Sequence, residues 1–238
     1  MNKYLSVVLP VYNEEKNIES LMNELNNYFN VNLNFEYEII LIDNCSTDQS
    51  FNILSKFISE NIKVIKNKKN ILYSGSVLRG IRFSNAKYIA IMDTDLQFKS
   101  KDILTLLNHI KSKDYDIVFG SRLNRKDGII RIIISKLFNL LSKMIFKCKL
   151  IDLNTGIKII CKESFINFDN TYGINMINPD LYAYAVINKL EIDEIGITHN
   201  DRIYGKTSHN LSFYSSIKLF ITVIKYFFYI RNKIKNNI

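Results

Sequence analysis

Short apolar runs that end at an acid, each followed by a helical pattern, constrain this chain more than any other feature. Glu38-Ile39-Ile40-Leu41-Ile42-Asp43 is one such run, and Tyr88-Ile89-Ala90-Ile91-Met92 leads into Asp93-Thr94-Asp95-Leu96-Gln97 as another. Leu5 to Val11 opens the series, Ile62 to Ile65 is a short third strand, and Asp116 to Gly120 is a further one. Continuous apolar runs of this length read as strands covered on both faces. Between them, Ile18, Leu21, Met22 and Leu25 recur at helical spacing, and Ser74 to Asn85 reads as a helix. Asn13 is expected to cap the first helix, with Glu14 and Glu15 in its first turn, and Ser46-Thr47-Asp48-Gln49 fits a capping box for the next. Strands alternating with helices imply an α/β fold with a mostly parallel sheet. Ligands in such folds gather at the carboxyl ends of the strands, where Asp43, Asp93 and Asp95 all lie.

Asp93 and Asp95 are the sharpest chemical signal. Alternation along an extended chain points both to one side. Neither has a Lys or Arg beside it in sequence, so the pair repels itself until a cation arrives. Mg²⁺ and Mn²⁺ take oxygen ligands and often bind through one or two carboxylates plus substrate phosphates. The bland alternative for an isolated Asp-x-Asp is a pair of solvated loop acids.

The formal net charge of +9 asks for an acidic partner, either phosphates, nucleic acid or an anionic membrane surface. Cys45, Cys148 and Cys161 have no metal-type spacing and fit a reduced, cytosolic setting, and the N-terminal residues are too quickly interrupted to read as a secretion signal.

The second half differs in character. Ile129 to Leu150 is rich in Ile, Leu and Phe but carries Arg131, Lys136, Lys143, Lys147 and Lys149, which argue against a membrane span. Two readings stand: a basic amphipathic helix or helix pair in a headgroup layer, or a helix on the sheet with a solvated basic face. A strand-like Gly156 to Ile160, a helix from Asp180 to Lys189 and a strand from Glu191 to Thr198 follow. Leu211 to Ile230, with Lys218 and Lys225 on one helical face, reads as an interfacial helix with a basic tail.

Some signals fail on inspection. Gly205-Lys206-Thr207-Ser208 looks like half of a phosphate-binding loop, but Asn200 occupies the earlier glycine position. No G-x-G-x-x-G follows the first strand, and His109, His199 and His209 lack ligand spacing. The basic residues cluster with long apolar runs rather than with a reading helix, which disfavours nucleic acid.

Six motifs in order now carry a resemblance. They are Leu9-Pro10-Val11-Tyr12-Asn13-Glu14-Glu15, Ile42-Asp43-Asn44-Cys45-Ser46-Thr47-Asp48, Met92 to Gln97, Gly120-Ser121-Arg122, Asp152-Leu153-Asn154-Thr155-Gly156, and Asn200-Asp201-Arg202 with Gly205 to Ser208. The chain resembles the family-2 glycosyltransferases of the GT-A fold, and within them the dolichol- or polyprenol-phosphate sugar synthases. The resemblance implies a catalytic domain over 1–210 and an amphipathic, membrane-interfacial segment over 211–238. It implies that Pro10, Tyr12, Glu14, Asp43 and Asp93 line the nucleotide, and that Asp93, Asp95 and Gln97 surround a Mg²⁺ or Mn²⁺ ion. Arg122, Arg131, Arg202 and Lys206 are implied for phosphate groups, with Asp95, Arg122, Arg202 and Asp180 as the catalytic set. Two departures stand out. Asn44-Cys45 replaces the usual Asp-Gly, and Asn178-Pro179-Asp180 replaces Gln-x-Glu.

The implied reaction is inverting transfer from a nucleotide-diphosphate sugar to a polyprenyl phosphate on the cytoplasmic face of a membrane. A phosphate acceptor, with a second pKa of about 6, is already anionic and needs cations more than a base. The alternatives are transfer to a saccharide hydroxyl with Asp180 as base, and a catalytically silent nucleotide-sugar-binding protein.

Overall fold

The computed structural model describes residues 3–169, 175–202, 204 and 213–237, with only the backbone for 213–217. Seven strands form one sheet: β1 (Lys3–Val11), β2 (Tyr37–Asp43), β3 (Ile62–Lys66), β4 (Ala86–Met92), β5 (Ile117–Leu123), β6 (Ile157–Cys161) and β7 (Ile192–Thr198). Their order is β3-β2-β1-β4-β6-β5-β7, and every pairing is parallel except those of β6 with β4 and β5. The expected mostly parallel sheet is therefore present, with a single reversed strand next to its centre.

Alternation divides the apolar residues between two layers. Leu5, Val7 and Leu9 of β1, Ile39 and Leu41 of β2, and Ala90 and Met92 of β4 face one core. α1 (Ile18–Asn32) and α4 (Ser100–Ser112) close that side with Leu21, Leu25, Phe29, Ile103, Leu106 and Leu107. Val8, Ile40, Ile91 and Phe119 face the other, where α3 (Leu72–Phe83), α6 (Ile177–Ile187) and α7 (Phe213–Asn237) pack. α2 (Ser50–Ser55) is a short helix after β2, and α5 (Ile129–Phe146) lies against α7. Val223, Tyr226, Phe227 and Ile230 of α7 are buried in the second core, while Leu219, Phe220, Ile221 and Phe228 of the same helix are exposed.

Two expected helix starts are corrected. α1 begins at Ile18 rather than just after Asn13, and α2 begins at Ser50. Asn13 sits at φ 55°, in the left-handed region, and its side chain is spent on the neighbouring loop. Asn13 Oδ1 accepts from Thr47 N at 2.8 Å, Glu14 N donates to Ser50 Oγ at 2.9 Å, and Gln49 N donates to Glu15 Oε2 at 3.0 Å. Most of these side chains stitch the loop after β1 to the loop after β2, which fixes one wall at the carboxyl end of the sheet, while Asp48 Oδ1 also accepts from Ser50 N at the start of α2.

Candidate active site

β1, β2 and β4 are in parallel register, so their carboxyl ends lie level, with Val11 opposite Asp43 and Val8 opposite Ile91. Asp43 is fully buried at the end of β2, and its Oδ1 has no hydrogen-bond partner. A buried acceptor without a donor is costly, and a ligand donor there would relieve it. Asn44 faces inward: Asn67 Nδ2 and Ile71 N donate to its Oδ1 at 3.0 and 2.9 Å. The asparagine in place of an acid thus ties the ends of β2 and β3 to the start of α3. Cys45 has φ 62°, a backbone conformation in which glycine is at ease and a side chain is strained.

The acid pair is built differently from the strand-alternation picture. β4 stops at Met92, and Leu96 at φ 65° turns the chain back, so Asp93 and Asp95 do not extend one strand face. Asp93 N donates to Gly156 O at 3.0 Å, and Tyr73 Oη donates to Asp93 Oδ1 at 2.8 Å. A Cβ at position 156 would collide with the Asp93 carboxylate, so the glycine makes room for it. Asp95 instead accepts from Arg202 Nη2 at 2.5 Å. Cations absent from the flanking sequence therefore arrive through the fold. The two acids remain close enough to repel: burial first, then the Asp95 charge, pushes Asp93 up to about 6.

The other expected residues divide into those the fold gathers and those it does not. Glu14 joins the cluster; burial raises its pKa, while Arg202 pulls it down and Asp95 and Asp93 push it up. Pro10 carries the carbonyl that accepts from Thr94 Oγ1 at 3.3 Å, and Tyr12 stands half-exposed beyond it. Gln97 N donates to Asp95 Oδ1 at 3.2 Å, and Gln97 O accepts from Asn200 N at 3.0 Å, which ties the acid loop to the Arg202 segment. Arg122, at the end of β5, grips Asp152 with Nε and Nη2 at 2.6 and 2.8 Å. Burial opposes that guanidinium's charge, but the Asp152 contact outweighs it and raises the pKa. Asp152 is set in turn by Glu194, whose carboxylate accepts from Ile151 N and Asp152 N.

Arg131 is not brought to the acid pair. It lies on α5, paired with Asp127 at 3.1 Å in a cluster with Arg125. Asp180 is buried on α6, where its interactions are with Tyr226 and Lys233 of α7, and burial pushes it up to about 6. Lys206 and the rest of the expected lid loop lie outside the described residues. Sequence reasoning missed Tyr73, Asp152 as the partner of Arg122, and Lys158, a fully buried lysine on β6.

Among the described residues no group of three His, Cys, Asp or Glu gathers as a complete metal cage. The donor set nevertheless suits a hard cation completed by substrate phosphates, because two carboxylates stand within mutual repulsion and one is destabilised by it.

Residues 6–169 match the sequence model described as "Glycosyl transferase family 2". The chain is 27% identical over 233 residues to a dodecaprenyl-phosphate galacturonate synthase of Rhizobium johnstonii, covering 96% of this chain and 68% of that protein. It is 32% identical over 209 residues to a dolichyl-phosphate beta-glucosyltransferase of Dictyostelium discoideum, covering 80% and 64%. In architecture it is similar to glucosyl-3-phosphoglycerate synthase from Mycobacterium tuberculosis, solved with Mn²⁺, UDP-glucose and phosphoglyceric acid. That likeness has a TM-score of 0.70 at 15% identity and covers 94% of this chain and 79% of that one.

Proposed function

The chain belongs to glycosyl transferase family 2, and on that premise we propose that it transfers a sugar, with inversion, from a nucleotide-diphosphate sugar to a polyprenyl phosphate. The observation that carries this reading is a contrast between the two relatives. Their names give different sugars, galacturonate and glucose, but one acceptor class, a polyprenyl-type phosphate. The acceptor class is thus the property that carries over, and the sugar is not.

The site supports the same division. Asp43, with its unpartnered Oδ1, is placed to take a donor hydrogen from the nucleoside. Asp93 and Asp95, with Gln97 alongside, are the residues that would hold Mg²⁺ or Mn²⁺, which when bound supplies Lewis-acid stabilisation of the leaving diphosphate. The arginines supply the rest of the positive charge. Arg202 Nε is buried without a partner, and Arg122 uses Nε and Nη2 on Asp152 and the Asn154 carbonyl. That leaves the Nη1 edge of Arg122 and the Nε of Arg202 to meet phosphate oxygens, and a guanidinium held in place by a carboxylate does this without reorganising. No side chain has to deprotonate a phosphate acceptor. Asp180 interacts with Tyr226 and Lys233 of α7, and this reading needs no base from it.

The acceptor's lipid fits the surface of α5. Ile129 and Ile130 are 77% and 74% exposed and Met144 is 70% exposed, with Ile133, Ile134, Leu137 and Leu140 also exposed along the helix. Leu219, Phe220, Ile221 and Phe228 of α7 add to it. No described helix is long and apolar enough to cross a membrane; an exposed apolar helical face flanked by lysines is suited to lie in an interface. Lys136 and Lys143 of α5 and Lys147 at its end are exposed and would meet anionic headgroups on such a surface.

A panel of radiolabelled nucleotide sugars, each offered polyprenyl phosphate or the free polyprenol, tests the proposal. One donor should give organic-extractable label with the phosphate and none with the alcohol. Label that enters water-soluble saccharide only would refute it.

A further inference from the structure

Lys158 belongs to none of the motifs that mark the site, yet it stands on β6 two residues after Gly156, which lies against the Asp93 carboxylate. It is fully buried on β6, in register with Ile91 of β4 and Phe119 of β5 on the apolar face toward α3 and α6. Its Nζ has no hydrogen-bond partner. An ammonium withdrawn from water in this way needs opposite charge close by. The ring of Tyr73 lies 5.8 Å from Nζ, and the hydroxyl of the same tyrosine donates to Asp93 Oδ1 at 2.8 Å. Gly156, two residues before Lys158 on the same chain, lies against the Asp93 carboxylate and accepts its backbone N–H at 3.0 Å. Asp93 and Arg122 are the charges that act on Lys158: burial lowers the ammonium to about 8, and Asp93 works against that fall.

We propose that Lys158 is a positioning residue, a fixed internal counter-charge that, with Tyr73, holds the Asp93 carboxylate in its place at the donor site. The lysine does not reach substrate, because it is sealed beneath the site; it acts through Asp93. This deepens the functional reading above and rests on it for the role of Asp93. It also explains why an apolar β-strand at the middle of the sheet tolerates a charge.

The test uses the full chain with Lys158→Met, Lys158→Arg, Asp93→Asn and the Lys158→Met/Asp93→Asn double variant. Methionine keeps the length and loses the charge, so a space-filling role leaves kcat unchanged. The proposal predicts a fall in kcat of at least about 20-fold in Lys158→Met with donor KM within about threefold, as for other groups that orient site carboxylates. Lys158→Arg, which keeps the cation, should come within about fivefold of the wild type. On the Asp93→Asn background, Lys158→Met should cost less than about twofold more, the signature of two residues acting as one. Unchanged kcat in Lys158→Met, or equal losses on both backgrounds, would overturn the proposal.

Melting temperatures measured in chelator read the same contact without substrate. Asp93→Asn should restore part of what Lys158→Met loses, because it removes the stranded acid. Strictly additive losses would overturn the proposal. A wild-type chain that transfers no sugar would sink the functional reading alone and leave the melting cycle to decide on Lys158. If Lys158→Met does not fold, Lys158→Gln takes its place with the same expectations.

Discussion

α4 and α5 carry similar apolar periodicity but meet opposite fates. α4 buries Ile103, Leu106, Leu107 and Ile110 against the sheet and turns its charged residues outward. α5 buries only Ser142 and Phe146 and leaves a row of isoleucines in the open. The first pattern is fully explained by the sheet it covers. The second is explained by nothing described in this chain, and a row of that length against water points to an apolar surface outside it. One helix stabilises the fold; the other carries the apolar face that the proposed function assigns to a lipid-borne acceptor.

Substitutions should therefore separate stability from membrane binding. The largest expected effect is on α5: Ile130→Asp, Ile133→Asp and Ile134→Asp together should weaken partition onto anionic vesicles by at least about 100-fold, since each buried isoleucine contributes about 1.5–3 kcal/mol. Flotation with vesicles reads this, and urea unfolding of the same variant should be nearly unchanged. On α4 the outcome reverses. Leu106→Ala should cost about 2–5 kcal/mol in urea unfolding and leave flotation intact. If both variants lost stability equally, α5 would be an ordinary core helix and the comparison would fail.

How much of this was legible beforehand follows from what kind of signal each residue carries. Strands ending at Asp43 and Met92 were readable because apolar runs and their boundaries are local. Asn13 and most of the Ser46 to Gln49 segment bond across to the neighbouring loop, although Asp48 Oδ1 also accepts from Ser50 N at 2.9 Å at the start of α2; the same side chains can do either, and only the fold chooses. Arg202 beside Asp95 joins residues far apart in sequence, so the apparent isolation of the acid pair was an artefact of looking only at neighbours. Lys158 left no trace, because one lysine in an apolar strand looks like an edge residue until its strand is found between two others. On α5, where two readings stood open, the structure shows an exposed apolar row, and the headgroup layer belongs to the proposed function.

A smaller effect sharpens the comparison at the junction of α6 and α7. Burial holds Asp180 at about 6, above the usual carboxylate range. An acid with a raised folded-state pKa favours the protonated fold, so its stabilisation is complete below the unfolded value near pH 4 and is lost as pH rises through about 6. Asp180→Asn should therefore gain on the order of 1–3 kcal/mol at pH 8, and the gain should vanish near pH 4. Denaturant unfolding at the two pH values checks this. A general base would instead show a rate loss of at least about 100-fold; Asp180→Asn should stay well short of that.

The most direct test compares one reaction with two acceptors: sugar transfer to a long polyprenyl phosphate in anionic vesicles and to a short, water-soluble prenyl phosphate. The triple α5 variant should lose at least about tenfold with the vesicle acceptor and stay within about twofold with the soluble one, whereas Asp93→Asn should lose equally with both. Equal rates for the α5 variant and the wild type on vesicles, or equal loss with both acceptors, would contradict the division between a lipid-facing helix and a catalytic acid site.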